Sequence, residues 1–111
     1  MGQIGTAPLV QDGREVKMGK PEGNIEDYLI KQSEKNGFLC YKFVSPGKRG
    51  VPDRIVIGRG RTVFIELKSP TGVLSKQQMF VIGEMRKRGA DVRVIASRSD
   101  VLAFFEEAND W

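Results

Sequence analysis

The stretch Gly50-Val51-Pro52-Asp53-Arg54-Ile55-Val56-Ile57-Gly58-Arg59-Gly60-Arg61-Thr62-Val63-Phe64-Ile65-Glu66-Leu67-Lys68 decides how this chain folds. Arg54 to Ile57 and Thr62 to Lys68 are rich in β-branched residues and flank a Gly-Arg-Gly-Arg turn. They read as the two strands of a hairpin. With Arg59 and Gly60 as the central turn residues, Asp53 is expected directly opposite Glu66. Cross-strand neighbours have Cβ atoms roughly 4.5–5.5 Å apart. Two carboxylates at that distance repel, so the pairing costs stability unless a cation sits between them. Alternation puts Glu66 and Lys68 on one face and Val63, Ile65 and Leu67 on the other. A slip of one residue would separate the two carboxylates, so the expectation depends on turn length.

The flanking sequence reads outward from this hairpin. Asn24 is a plausible N-cap for a helix over 25–36, with Ile25, Leu29, Tyr28 and Gln32 as its inner stripe. Asn36-Gly37 stops it. Phe38 to Val44 reads as a strand and Ser45 to Val51 as a loop. Ser75 to Arg88 reads as a helix stopped by Gly89, Val92 to Ala96 as a strand, and Ser99 to Glu107 as a closing helix with Val101, Leu102 and Phe105 inward. The order α-β-β-β-α-β-α belongs to the α/β class. A meander followed by a helical crossover is expected to give an α+β arrangement around a mixed sheet. Residues 1–22 read as a poorly ordered leader or an artificial extension, with Met18 as an alternative start, and 23–111 as one domain.

Composition narrows the chemistry. The chain of 111 residues suits one core. It contains no histidine and one cysteine, Cys40. Ser-His and Cys-His catalysis, His-liganded metals and structural zinc are thereby excluded. A metal would have to be hard and oxygen-liganded: Mg²⁺, Mn²⁺ or Ca²⁺. Cys40 cannot form an internal disulfide and reads as a small core residue in a cytoplasmic protein. No apolar run reaches membrane-span length. The net charge of +4 is compatible with a polyanionic partner. Basic pairs Lys48-Arg49 and Arg59 with Arg61 fall in loops expected beside the motif. Arg86-Lys87-Arg88 reads as a solvated helix end favoured by the dipole.

The cluster can do chemistry. Asp53 and Glu66 could hold a divalent ion, and Lys68 could orient or deprotonate a nucleophile or neutralise charge on a phosphoryl group. The bland alternative is a structural Glu66–Lys68 pair, with Asp53 capping a turn after Pro52. Glu26 lies in the first turn of a helix, where the dipole favours any carboxylate. Gln78 lies three residues after Ser75 and would close a capping box. Tyr41, Phe43 and Phe64 read as core or dimer packing.

The form Pro52-Asp53 then Glu66-Leu67-Lys68 resembles the PD-(D/E)xK nuclease superfamily, with its restriction-endonuclease-like core. The surrounding segments are more specific. Phe43 to Ile55, Val63 to Lys68, Gly72 to Gln78 and Arg88 to Val94 look like the VRR-NUC family of virus-type replication-repair nucleases. The resemblance runs from about residue 24 to 106 and fits a stand-alone phage or bacterial member.

It implies Asp53 and Glu66 as metal ligands, Lys68 as the catalytic lysine, and a backbone carbonyl from Leu67 on the metal. It also implies that Glu26 completes the acidic cluster and that Gln78 lies near the active site. Gln77 is the alternative to Gln78, and Asp27 and Glu22 to Glu26. The implied activity is Mg²⁺- or Mn²⁺-dependent DNA hydrolysis, with one or two metals per site and no small-molecule cofactor. The implied assembly is a homodimer acting on branched DNA such as four-way junctions, with Lys48 and Arg49 approaching phosphates. Competing readings are a non-catalytic DNA-binding module, which loss of Asp53, Glu66 or Lys68 would favour, and a restriction-type enzyme, which would need added elements for base readout.

Overall fold

Three strands in a meander and a fourth reached over a helix form the sheet. The computed structural model describes residues 21–111. Its elements are α1 (Pro21–Lys35), β1 (Leu39–Lys42), β2 (Arg54–Gly58), β3 (Arg61–Leu67), α2 (Lys76–Lys87), β4 (Asp91–Ile95) and α3 (Arg98–Ala108). What was expected of residues 1–20, including the start at Met18, lies outside the described residues. Sheet order is β1-β2-β3-β4. β1, β2 and β3 are antiparallel neighbours, and β4 runs parallel to β3. The mixed sheet and its three helices match the expected order.

Helix α1 begins earlier than expected. Pro21 opens it, so Asn24 lies inside the helix and does not cap it. Proline suits a first helical position, where its missing N–H has no partner to lose. Ile25 and Leu29 are buried as expected. The third inward residue is Ser33 rather than Gln32, and its hydroxyl donates to the Leu29 carbonyl at 2.7 Å. That bond satisfies a polar group that would otherwise be costly to bury.

The hairpin turn forms as expected. Gly58 pairs with Arg61, leaving Arg59 and Gly60 as the turn, with φ of 52° and 78°. Both positive angles match the turn that suits twisted strands. Val56, Val63 and Ile65 are wholly buried on the face covered by α1 and α3. From α3 come Val101, Phe104, Phe105 and Ala108, spaced i, i+3, i+4, i+7. Leu102 was expected inward, but it lies off this stripe and is half exposed.

Gly58 sits against the ring of Phe38. A Cβ there would lie 2.3 Å from Phe38 Cδ2. Phe38 meets Phe105 and Trp111 edge-on, at centroid distances of 5.4 and 6.3 Å. Arg59 lies over the Phe38 ring and Arg61 over Trp111. These arginines were expected beside the acidic motif. The hairpin instead carries them to the opposite end of β2, roughly 15 Å away at about 3.3 Å per residue. They cover aromatic core edges.

The other face of the sheet carries α2, whose Val81 and Ile82 are buried, as is Val92 of β4. Alternation and parallel pairing assign Phe64 with Val92, and Glu66 with Val94, to this face. One strand, β3, thus presents core on one side and chemistry on the other.

Candidate active site at the open end of the hairpin

Glu66 is the centre of the site. It is 1% exposed, which is rare for a carboxylate. Its Oε2 accepts from Gln78 Nε2 at 2.9 Å and lies 3.7 Å from Lys68 Nζ. Its Oε1 is buried with no hydrogen-bond partner. The Glu66 carboxyl is pushed up to about 7, chiefly by burial and next by nearby Asp53, with Lys68 opposing both. An unpartnered buried oxygen costs on the order of 1–3 kcal/mol or more. It persists here beside a second carboxylate and a half-neutralising lysine.

Asp53 stands next to Glu66 but not as its ladder partner. The β2–β3 pairing ends at Arg54 with Ile65. Asp53 donates its N–H to the Ile65 carbonyl at 2.9 Å, one residue out of step with the hairpin. Its carbonyl accepts from the Phe43 N–H at 2.9 Å, and its Oδ2 accepts from the Leu67 N–H at 2.8 Å. The expected face-to-face register therefore fails at its last pair. Asp53 stays in step with β1, and its side chain supplies the acceptor for the Leu67 N–H. Leu67 is fixed from both sides, because its side chain packs against the α1/α3 core.

Gln78 closes the expected capping box and also contacts Glu66. Ser75 Oγ accepts from the Gln78 N–H at 3.0 Å, and Gln78 Oε1 accepts from the Ser75 N–H at 2.9 Å. This capping box starts α2, and the remaining end of the same amide reaches Glu66. Gln77 points elsewhere, toward the Arg49 carbonyl.

Glu26 is not brought to Asp53 and Glu66. Its Oε2 accepts from Arg54 Nε at 2.7 Å. Strand alternation explains the choice. Arg54 follows Asp53, so its side chain emerges toward α1, where it meets Glu26. Among the described residues no three acidic, cysteine or histidine side chains come together. Arg54 is the site neighbour that motif reading missed. Alternation plus an acidic first helix was the signal that could have found it. Cys40 packs against the same core, and burial pushes its thiol up against the lowering effects of Ser33 and Arg54.

The loop 45–52 carries Lys48 and Arg49, both exposed or nearly so. Gly50 lets this loop lie on α2. It has φ of 89°, and a Cβ would lie 3.0 Å from Gln77 and Val81 atoms. The loop thus ends beside Asp53, held at a position that only glycine occupies comfortably.

The donor set suits a hard divalent cation. It consists of carboxylate oxygens, one of them buried and unpartnered, with a lysine alongside. A mixed sheet closed by a parallel crossover carries this group at the end of its central hairpin. A family model described as VRR-NUC domain matches residues 42–99. "Putative nuclease p44" of Acyrthosiphon pisum secondary endosymbiont phage 1 is 50% identical over 50 residues, covering 44% of this chain and 54% of the relative. The chain thus spans about half the length of that curated relative. A solved "VRR_NUC domain" superposes with a TM-score of 0.74 at 31% identity, over 79% of this chain and 97% of the other. A second solved structure, "VRR_NUC domain protein", superposes with a TM-score of 0.65 over 79% and 87%; at 20% identity it speaks to the fold alone. The chain belongs to the VRR-NUC domain family. No helix among the described residues is long and apolar enough to cross a membrane.

Proposed function

We propose that this protein is a Mg²⁺- or Mn²⁺-dependent DNA endonuclease that hydrolyses phosphodiester bonds. The observation that carries the reading is Glu66, a buried carboxylate with one oxygen unpartnered, beside Asp53 and Lys68. Asp53, Glu66 and the Leu67 carbonyl would hold the cation. When bound, it supplies Lewis-acid polarisation of a phosphoryl oxygen. Lys68 places an ammonium where charge develops on the phosphate and orients the attacking water. Gln78 keeps one Glu66 oxygen engaged. Glu26 joins the cluster in this proposal only by breaking its bond to Arg54, so Glu26→Gln is expected to cost less activity than Glu66→Gln.

Branched DNA as substrate rests on the family resemblance. The same resemblance implies a homodimer, which fits the physics, because two symmetric cuts would need a two-fold pair of sites. Val73, Met79 and Phe80, on or just before α2, are large apolar side chains left exposed, which suits a second copy.

The decisive experiment is cleavage of a labelled four-way junction beside linear duplex, in Mg²⁺, Mn²⁺ or EDTA. Metal-dependent cutting should fall at least a hundredfold in Lys68→Ala. Cutting that survives both Lys68→Ala and Glu66→Ala unchanged would remove the mechanism. Equal cutting of linear duplex would remove the branch preference alone, and a monomer mass in sedimentation would remove paired incision.

Lys48 and Arg49 are assigned to phosphates. Replacing both with alanine is expected to weaken binding on every sequence and to lower the magnitude of the log K against log salt slope by about 1.5–2. An unchanged slope would return the loop to a solvated turn.

A further inference from the structure

We propose that Ser75 is a positioning residue for Glu66, acting through the side-chain amide of Gln78. An amide has a donor end and an acceptor end, and only one orientation satisfies both neighbours. The Ser75 N–H can only donate, so Gln78 must turn its oxygen toward it. The nitrogen is then left facing Glu66, 2.9 Å from Oε2. Were the amide reversed, an N–H₂ would meet an N–H and an oxygen would meet a carboxylate. The helix cap therefore selects the polarity of the contact at the site.

The selection has a consequence within the carboxylate. Oε2 takes the Gln78 donor and faces Lys68, while Oε1 is left buried and unpartnered. Positioning groups of this kind are worth roughly 10–100-fold in metal affinity where they fix a ligand's orientation. Ser75 also accepts the Gln78 N–H through its hydroxyl, but that bond only caps the helix. The two contacts of Ser75 thus have separable tasks: the hydroxyl caps, and the main-chain N–H orients. The metal arm of the test rests on Glu66 being a cation ligand, as proposed above; the amide arm does not.

Ser75→Ala keeps the N–H and loses the hydroxyl. Ser75→Pro loses both, and its φ of −72° already suits proline. Gln78→Met removes the relay. In metal-free protein, the side-chain amide resonances of Gln78 are expected to shift in Glu66→Ala and in Ser75→Pro but stay in place in Ser75→Ala. Exchange of the Ser75 amide proton should accelerate in Gln78→Met and, through the relay, in Glu66→Ala. By titration calorimetry, Mn²⁺ affinity should fall about tenfold in Ser75→Pro and Gln78→Met, no further in the double variant, and less than threefold in Ser75→Ala.

Equal losses in Ser75→Ala and Ser75→Pro would overturn the inference, because capping alone would then explain them. So would additive losses in the double variant, or Gln78 resonances indifferent to Glu66→Ala. Should Ser75→Pro fail to fold, Ser75 amide exchange in Glu66→Ala decides: unchanged exchange overturns the inference, and acceleration supports it. If the native protein binds no Mn²⁺, the metal proposal fails while the amide arm still decides this one.

Discussion

Glu66→Gln is expected to lower metal-dependent cleavage about a thousandfold, and yet to stabilise the metal-free protein by about 3 kcal/mol at pH 8. Both effects come from the same burial. The carboxyl ordinarily titrates near 4.5 and is pushed up to about 7 in the fold, chiefly by burial and then by Asp53. Below pH 4.5 both folded and unfolded chains hold the proton, so the group makes no difference. Between 4.5 and 7 only the unfolded chain releases it, so stability falls as pH rises. Above 7 the full penalty of the ionised, buried group is present. Glutamine cannot ionise, and its stability should stay flat over that window. Urea denaturation in EDTA between pH 4 and 8.5 measures this directly. Native stability that rises from pH 5 to 7, relative to the variant, would contradict the assignment. Adding Mn²⁺ at pH 8 should reverse the order by stabilising the native protein and not Glu66→Gln.

The second large effect lies at the far end of the hairpin. Gly58→Ala places a methyl 2.3 Å from Phe38 Cδ2, with ring atoms Cε2 and Cγ at 2.7 and 2.8 Å behind it. Phe38 cannot retreat, because Phe105 and Trp111 close on it. Overpacking of this kind costs about 3 kcal/mol, which lowers the melting temperature by roughly 15 °C in a domain of this size. Phe38→Leu alone should also destabilise, but combined with Gly58→Ala it should cost less than the sum. Cleavage at low temperature should be nearly normal, because the acidic site is at the other end of the strands. A melting temperature within about 2 °C of the native value would show that Phe38 can move.

Much of this arrangement was legible from the hairpin. Gly-Arg-Gly-Arg dictates a two-residue turn, and the turn dictates the register, so Val56, Val63 and Ile65 inward and Glu66 outward follow from alternation alone. The capping box was equally local, since Ser75 and Gln78 need only be three residues apart. The failures were all non-local. Asp53 keeps step with Phe43 of the neighbouring strand but turns its N–H to the Ile65 carbonyl, which alternation along the hairpin does not foresee. Glu26 went to Arg54 because α1 packs on the face to which Asp53 does not point. Arg59 and Arg61 are near the motif in sequence but a strand length away in space. Leu102 looked inward until α3 chose the stripe that includes Phe104 and Ala108. Spacing predicts what one element does; it does not say which residue of another element arrives first.

The strand β4 contributes no reactive group, yet Lys68 donates its main-chain N–H to Ile95 at 3.0 Å, and Glu66 pairs with Val94. Asp53, Glu66, Lys68 and Gln78 all precede it in the chain. During synthesis, therefore, the reactive side chains leave the ribosome before the strand that sets their backbone. A nascent or truncated chain carries the residues of the site without the frame that aims them. On the proposed nuclease reading, the site is framed only once the last strand of the sheet is in place.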